Sequence, residues 1–305
     1  MNNPQLPSRR LLISAAGIGL LALPGLARAN MPAPPTTRGY AKGPYGLVHY
    51  QDTGPAKNAA PGSLPLVLCH QAPMSSRQFD SVYGRLLARG IRAIGIDTPG
   101  FGMSDVTPFV PKVEDWAKAV PPVLDHLGLK QVDILGHHTG SMVATEVALQ
   151  FPDRVRNLIL NGPLPVTDDE RKNFLDGVEK REKNFVYKSD GSHLMESFMG
   201  RWRMYGEGAN PQLTTRVTVE KFMGYGPFWY GHYAAFMYNH NASIPKIKHR
   251  TLILTNTGDQ IYENAKRTKQ MRPDFAFVEF QGGGVDIVDQ NSDAWADAVA
   301  AFVKG

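Results

Sequence analysis

The residues best placed to do chemistry lie in Gly136-His137-His138-Thr139-Gly140, which has the spacing of a nucleophile elbow, G-x-Nuc-x-G. The apolar run Val132-Asp133-Ile134-Leu135 precedes it, and an apolar stretch from Met142 to Leu149 follows. A strand–turn–helix context gives such a motif its meaning, because the glycines let the chain turn sharply and expose the middle residue. That residue is His138. An imidazole there can accept a proton or attack as a nucleophile near neutral pH. His70 and His137 raise the question of a metal, but no H-x-x-x-H or H-x-H spacing occurs. Alternate side chains of a tight turn diverge, which aims His137 away from the pocket, so we expect no metal.

A site of this kind needs a rigid frame. Short apolar runs at 66–69, 91–96, 132–135, 158–160, 251–254 and 275–280 are bounded by Gly, Pro or Asp and read as buried parallel strands. Helical stretches at 75–89, 115–127, 140–151, 262–271 and 292–303 alternate with them. That alternation predicts an α/β fold with a mostly parallel, doubly wound sheet. A hairpin around 46–50 adds an antiparallel edge. From 165 to 247 the rhythm stops. This segment is charged from Asp168 to Lys183 and aromatic from Phe222 to Tyr238, and it reads as a helical cap. Ligand sites in such sheets lie beyond the carboxyl ends of the strands, so part of the cap should roof a pocket. Trp229, His232 and Tyr233 are its candidate substrate-binding residues. The core then divides into 30–164 and 248–305.

Residues 1–29 read as a twin-arginine export signal. Arg9-Arg10 is followed by an apolar run from Ala15 to Leu26 and by Ala27-Arg28-Ala29, which suits a signal peptidase. The apolar run is shorter than the roughly 20 residues a membrane span needs. The expectation is a periplasmic protein without stable membrane association. Loss of Arg9, Arg10 and Arg28 would lower the formal net charge from +5 to +2, and no basic run follows, so nucleic acid is not an expected partner. Cys69 is the single cysteine, which rules out an intrachain disulfide.

At this point the chain resembles the α/β-hydrolase fold family, of the single-domain, capped type, from about Gly39 to Val303. The resemblance rests on five landmarks: His70-Gln71-Ala72-Pro73, Asp97 to Asp105 with its Thr-Pro-Gly-Phe-Gly core, the elbow, Gly258-Asp259-Gln260-Ile261-Tyr262, and Gly282-Gly283-Gly284. It implies an elbow nucleophile (Ser, Cys or Asp), a late-strand acid and a histidine base after the last strand. The acid matches at Asp259. The other two do not, since His138 occupies the elbow and Val285 stands at the histidine position. It also implies an oxyanion hole from the backbone N–H groups of Gln71 and Thr139, with His70 beside the pocket.

The two departures read as one compensated change. An elbow imidazole reaches into the space vacated at Val285, donates one N–H to Asp259 and keeps its other nitrogen as a base. Three functions fit: a hydrolase of small esters, lactones or activated carbonyl compounds; a lyase, isomerase or C–C bond-cleaving enzyme in which His138 abstracts a proton; and a non-catalytic ligand-binding protein. None calls for a redox or organic cofactor, and a small-molecule substrate is the expected partner.

Overall fold

The computed structural model describes residues 34–205 and 208–305. The predicted export signal lies outside them. Eight strands form one sheet: β1 (Thr37–Gly43), β2 (Gly46–Asp52), β3 (Leu66–Cys69), β4 (Ala93–Ile96), β5 (Val132–His137), β6 (Val155–Asn161), β7 (Arg250–Asn256) and β8 (Ala276–Phe280). Their order is β1-β2-β4-β3-β5-β6-β7-β8. Strands β3 to β8 run parallel, while β1 and β2 form an antiparallel hairpin whose second strand pairs with β4. The predicted edge is therefore a two-strand extension with β1 outermost.

The helices are α1 (Tyr83–Ala88), α2 (Val113–Ala117), α3 (Val120–His126), α4 (Thr139–Gln150), α5 (Asp168–Val178), α6 (Ser192–Tyr205), α7 (Pro211–Glu220), α8 (Trp229–Met237), α9 (His240–Ser243), α10 (Tyr262–Met271), α11 (Ile287–Gln290) and α12 (Ser292–Lys304). Two expected helices break. The stretch 75–89 divides into a turn at Ser76–Phe79 and α1, and 115–127 divides into α2 and α3. Pro121 and Pro122, without N–H groups, sit in the first turn of α3, where none is needed.

Strand β3 is fully buried, and its side chains alternate between two cores. Leu66 and Leu68 join Phe79, Leu86, Trp295 and Val299 on the face covered by α1 and α12. Val67 and Cys69 join Trp116, Val123 and Val147 on the face covered by α2, α3 and α4. Burying each large apolar side chain contributes roughly 1.5–3 kcal/mol, which makes the central strands a stiff platform. Between β6 and β7 the described residues hold helices α5 to α9 and no strand. Helix α5 begins with a capping box in which Thr167 and Glu170 bond reciprocally to each other's backbone N–H.

Candidate active site

The ends of β5, β6 and β7 meet at His138. Strand β5 stops at His137, and the chain then turns through His138 at φ 49° and ψ −114° before entering α4. A non-glycine residue in such a conformation is strained by about 1–3 kcal/mol and persists only where its surroundings dictate it. The surroundings here are three hydrogen bonds: the His138 N–H donates to the Asn161 carbonyl at 2.8 Å, and the His138 carbonyl accepts from the Ser141 N–H at 2.8 Å and from Ser141 Oγ at 2.6 Å. Ser141 is thereby structural.

His138 Nε2 lies 2.7 Å from Asp259 Oδ2. Asp259 follows β7, and its other oxygen accepts the Ile261 N–H at 3.1 Å. Burial pushes the Asp259 carboxyl up, but the adjacent His138 imidazole and the Ile261 N–H outweigh it and hold the group below its usual range. It is therefore an ionised acceptor that fixes the His138 proton on Nε2. Nδ1 of His138 has no protein partner among the described residues and is left as the free nitrogen. Val285 is buried. Room for the ring comes from a glycine: at Gly162, φ +69°, a Cβ would lie 2.6 Å from His138 Cδ2.

The oxyanion-hole expectation changes at one of its two residues. Thr139 opens α4, so its N–H has no intrahelical acceptor and the helix dipole adds to it. Gln71 does not qualify, because its N–H donates to Gln78 Oε1 at 2.8 Å. The next residue, Ala72, has an N–H with no acceptor among the described residues and is the donor left open on this loop. His70 is likewise corrected as a substrate contact. Its buried ring donates from Nδ1 to the Gln71 carbonyl at 2.8 Å and accepts the Thr98 N–H on Nε2 at 2.9 Å. Burial lowers its pKa, so it is a neutral brace for the loop.

Helix α8 rests on that loop, where Gly231 packs against Ala72 and Phe101 too closely for a Cβ. The contacts of Trp229, His232 and Tyr233 run to other cap residues. Lys183 Nζ sits 5.2 Å over the Trp229 ring and 5.6 Å over that of Tyr233. His232 Nδ1 lies 2.7 Å from Glu182 Oε1. No hydrogen bond or ring contact joins these three to His138 or Asp259 among the described residues.

Sequence reading missed a buried tie beside Val285. Asp286 is fully buried and accepts from Arg201 Nη2 at 2.6 Å, from Gln71 Nε2 at 2.6 Å and from the Tyr205 hydroxyl. Burial raises the Asp286 pKa, yet the Arg201 guanidinium and the Tyr205 hydroxyl bring it below the usual range. Arg201 and Tyr205 come from α6, so the cap is joined to both the 282–286 loop and the oxyanion loop. No spacing in the sequence announces a partner 85 residues away. Asp97, weighed as a second acid, is committed to its own loop by His49, Ser76 and Met103.

The two elbow imidazoles lie with ring centroids 4.6 Å apart, His137 fully buried against Gln78 and His138 partly exposed. One donor atom each of His137, His138 and Asp259 falls within 4.8 Å of the others. His138 and Asp259 are nonetheless bonded to one another, and His137 Nδ1 faces the Gln78 amide nitrogen. The trio does not present three lone pairs to a cation.

The profile of the alpha/beta hydrolase fold family matches residues 65–217, half of the chain. A 2-hydroxy-6-oxononadienedioate/2-hydroxy-6-oxononatrienedioate hydrolase from Paraburkholderia phymatum is 30% identical over 172 residues. That match takes in 50% of this chain and 57% of the relative, so the alignment spans little more than half of the relative's length. Among solved structures, a thermophilic esterase from Thermogutta terrifontis superposes with a TM-score of 0.68 at 21% identity, covering 88% of this chain and 98% of the esterase. An enol-lactonase from Burkholderia xenovorans gives 0.70 at 16% identity, covering 88% and 100%. At such identities these two likenesses speak for the fold alone. On the profile match, and with its eight-stranded sheet and elbow, the chain belongs to the alpha/beta hydrolase fold family.

Proposed function

We propose that the protein is a hydrolase of small esters, lactones or activated carbonyl compounds that works through the His138–Asp259 dyad in place of a Ser-His-Asp triad. The observation that carries this reading is the 2.7 Å contact of His138 Nε2 with Asp259 Oδ2, which leaves Nδ1 as the only open ring nitrogen. Nδ1 adjoins the Cγ–Cβ bond and is the more hindered nitrogen for attack on a carbonyl carbon, whereas a proton reaches it freely. We therefore assign His138 as a general base rather than a nucleophile. Water adds to the carbonyl carbon as its proton passes to Nδ1, and Nε2–H stays on the Asp259 carboxylate. The Thr139 and Ala72 N–H groups stabilise the developing oxyanion, each worth roughly 3–4 kcal/mol in such sites. On collapse, Nδ1–H returns its proton to the leaving alkoxide.

The names of the relatives support carbonyl substrates: one is a hydrolase of an oxo-dioate, and solved neighbours include an esterase and an enol-lactonase. The aromatic cap favours a small, largely apolar acyl or lactone group. Arg9-Arg10 and the Ala27-Arg28-Ala29 site support export to the periplasm, with a mature chain beginning at Asn30. Mass spectrometry of periplasmic protein tests that start; an intact Met1 chain confined to the cytoplasm would contradict it.

Hydrolysis in oxygen-18 water tests the reaction. A panel of aryl esters and lactones should yield acids carrying one solvent oxygen, and hydroxylamine quenching should trap no acyl-protein. Absence of turnover across the panel would refute the hydrolase assignment, and a trapped acyl group on His138 would refute the base role.

A further inference from the structure

Behind the elbow, one fully buried carboxamide bonds Gln71, the residue before Ala72, and His137, two residues before Thr139. Gln78 lies on the short turn after the oxyanion loop, and its Oε1 accepts the Gln71 N–H at 2.8 Å. A carboxamide whose oxygen is used this way must turn its NH2 in the other direction. That NH2 meets Nδ1 of His137, the residue just before His138. Gln78 can only donate there, so Nδ1 carries a lone pair and the single proton of His137 sits on Nε2. Nε2 is itself buried, with no acceptor among the described residues. Burial also drives the His137 pKa down to about 3, so the ring is neutral.

This arrangement has a consequence for the loop. Because Gln78 takes the Gln71 N–H, the next donor, Ala72, is the one left open. Because the same side chain is bonded to His137, the loop is held at a fixed distance from the elbow, where Thr139 supplies the second donor. The Gln71 side chain adds an independent tether to Asp286 at 2.6 Å, which fixes the loop from the cap side but not from the elbow.

We infer that Gln78 is a positioning residue that registers the oxyanion loop against the elbow, so that the Ala72 and Thr139 N–H groups converge, with the Nε2–H tautomer of His137 as its signature. The inference rests on the oxyanion-hole reading above, but its signature is independent of turnover. Two variants separate the parts. Gln78→Glu still accepts the Gln71 N–H but offers no donor to His137, so the His137 proton should move to Nδ1. Gln78→Met, of similar volume, removes both bonds.

Nitrogen-15 NMR of the histidine side chains reads the tautomer in the purified protein, and steady-state kinetics on an active ester read the positioning. We expect His137 to be Nε2-protonated in the wild type and Nδ1-protonated in Gln78→Glu. In Gln78→Met we expect kcat to fall about a hundredfold with KM little changed, as a misplacement of about 1 Å produces. An Nδ1-protonated His137 in the wild type, or an unchanged kcat in Gln78→Met, would overturn the inference. If Gln78→Met does not fold, the tautomer and kcat of Gln78→Glu decide in its place. If the wild type hydrolyses nothing, the hydrolase assignment fails, and the wild-type tautomer alone decides whether the Gln78 relay exists.

Discussion

At the residue scale, an elbow imidazole needs space that a smaller side chain would not. An imidazole is far larger than a hydroxymethyl group, and the space it takes is supplied by Gly162 and bordered by Ile261. Gly162→Ala should therefore displace the His138 ring from Asp259 and lower kcat/KM by about tenfold or more, since positioning errors below 1 Å already weaken catalysis. A crystal structure of the variant with the 2.7 Å contact intact, together with unchanged kinetics, would contradict this account. His138 and Asp259 were legible in the sequence because the elbow and the late-strand loop carry local patterns. Gly162 was not: its role is defined by a side chain 24 positions earlier that reaches it only after β5 and β6 pair. Gln71 was misread for a related reason. A backbone N–H looks free in a sequence until a distant carboxamide, here Gln78, is seen to occupy it.

At the scale of elements, the parallel strands and the helices α4, α10 and α12 could be read from apolar runs and their bounding glycines, prolines and aspartates. The cap could be placed as an insertion, but its attachment could not be foreseen. Helix α6 is tied down by the Arg201–Asp286 ion pair at 2.6 Å, with Tyr205 on the second oxygen. Removing one partner of a buried pair leaves the other charge uncompensated, at a cost of about 3–5 kcal/mol. Arg201→Met should destabilise the protein by about that amount in a urea titration, and adding Asp286→Asn should restore a large part of it. Equal stabilities for the single and double variants would show that the pair is not what holds the cap. Trp229, His232 and Tyr233 were expected at the substrate because an aromatic cap faces a pocket in outline. In the structure Trp229 and Tyr233 carry Lys183 over their rings and His232 meets Glu182, partners that helical periodicity does not reveal.

At the scale of the whole molecule, charge is distributed so that stability depends on pH in two opposite ways. Asp259 and Asp286 have folded pKa values below their ordinary value, so the stability they lend is present above about pH 4 and is lost as pH falls further, when the folded state must take up protons. Glu220, at the end of α7, behaves oppositely. Burial pushes its pKa up to about 7 against the opposing Arg216 and Arg77, with Ser75 Oγ donating at 3.1 Å. The unfolded carboxyl is ionised above about pH 4.5, so the folded protein loses stability as pH rises from there to about 7. Glu220→Gln should therefore raise the melting temperature at pH 8 more than at pH 5; an equal shift at both pH values would show that Glu220 is ionised in the fold throughout. The central claim is that the elbow histidine is the base. It is tested most directly by kcat/KM for one active ester, measured side by side for the wild type and His138→Ala. A general base contributes about a hundredfold to ten-thousandfold, and the variant should lose a factor in that range while folding normally. An active wild type whose rate is indifferent to His138→Ala would contradict the account.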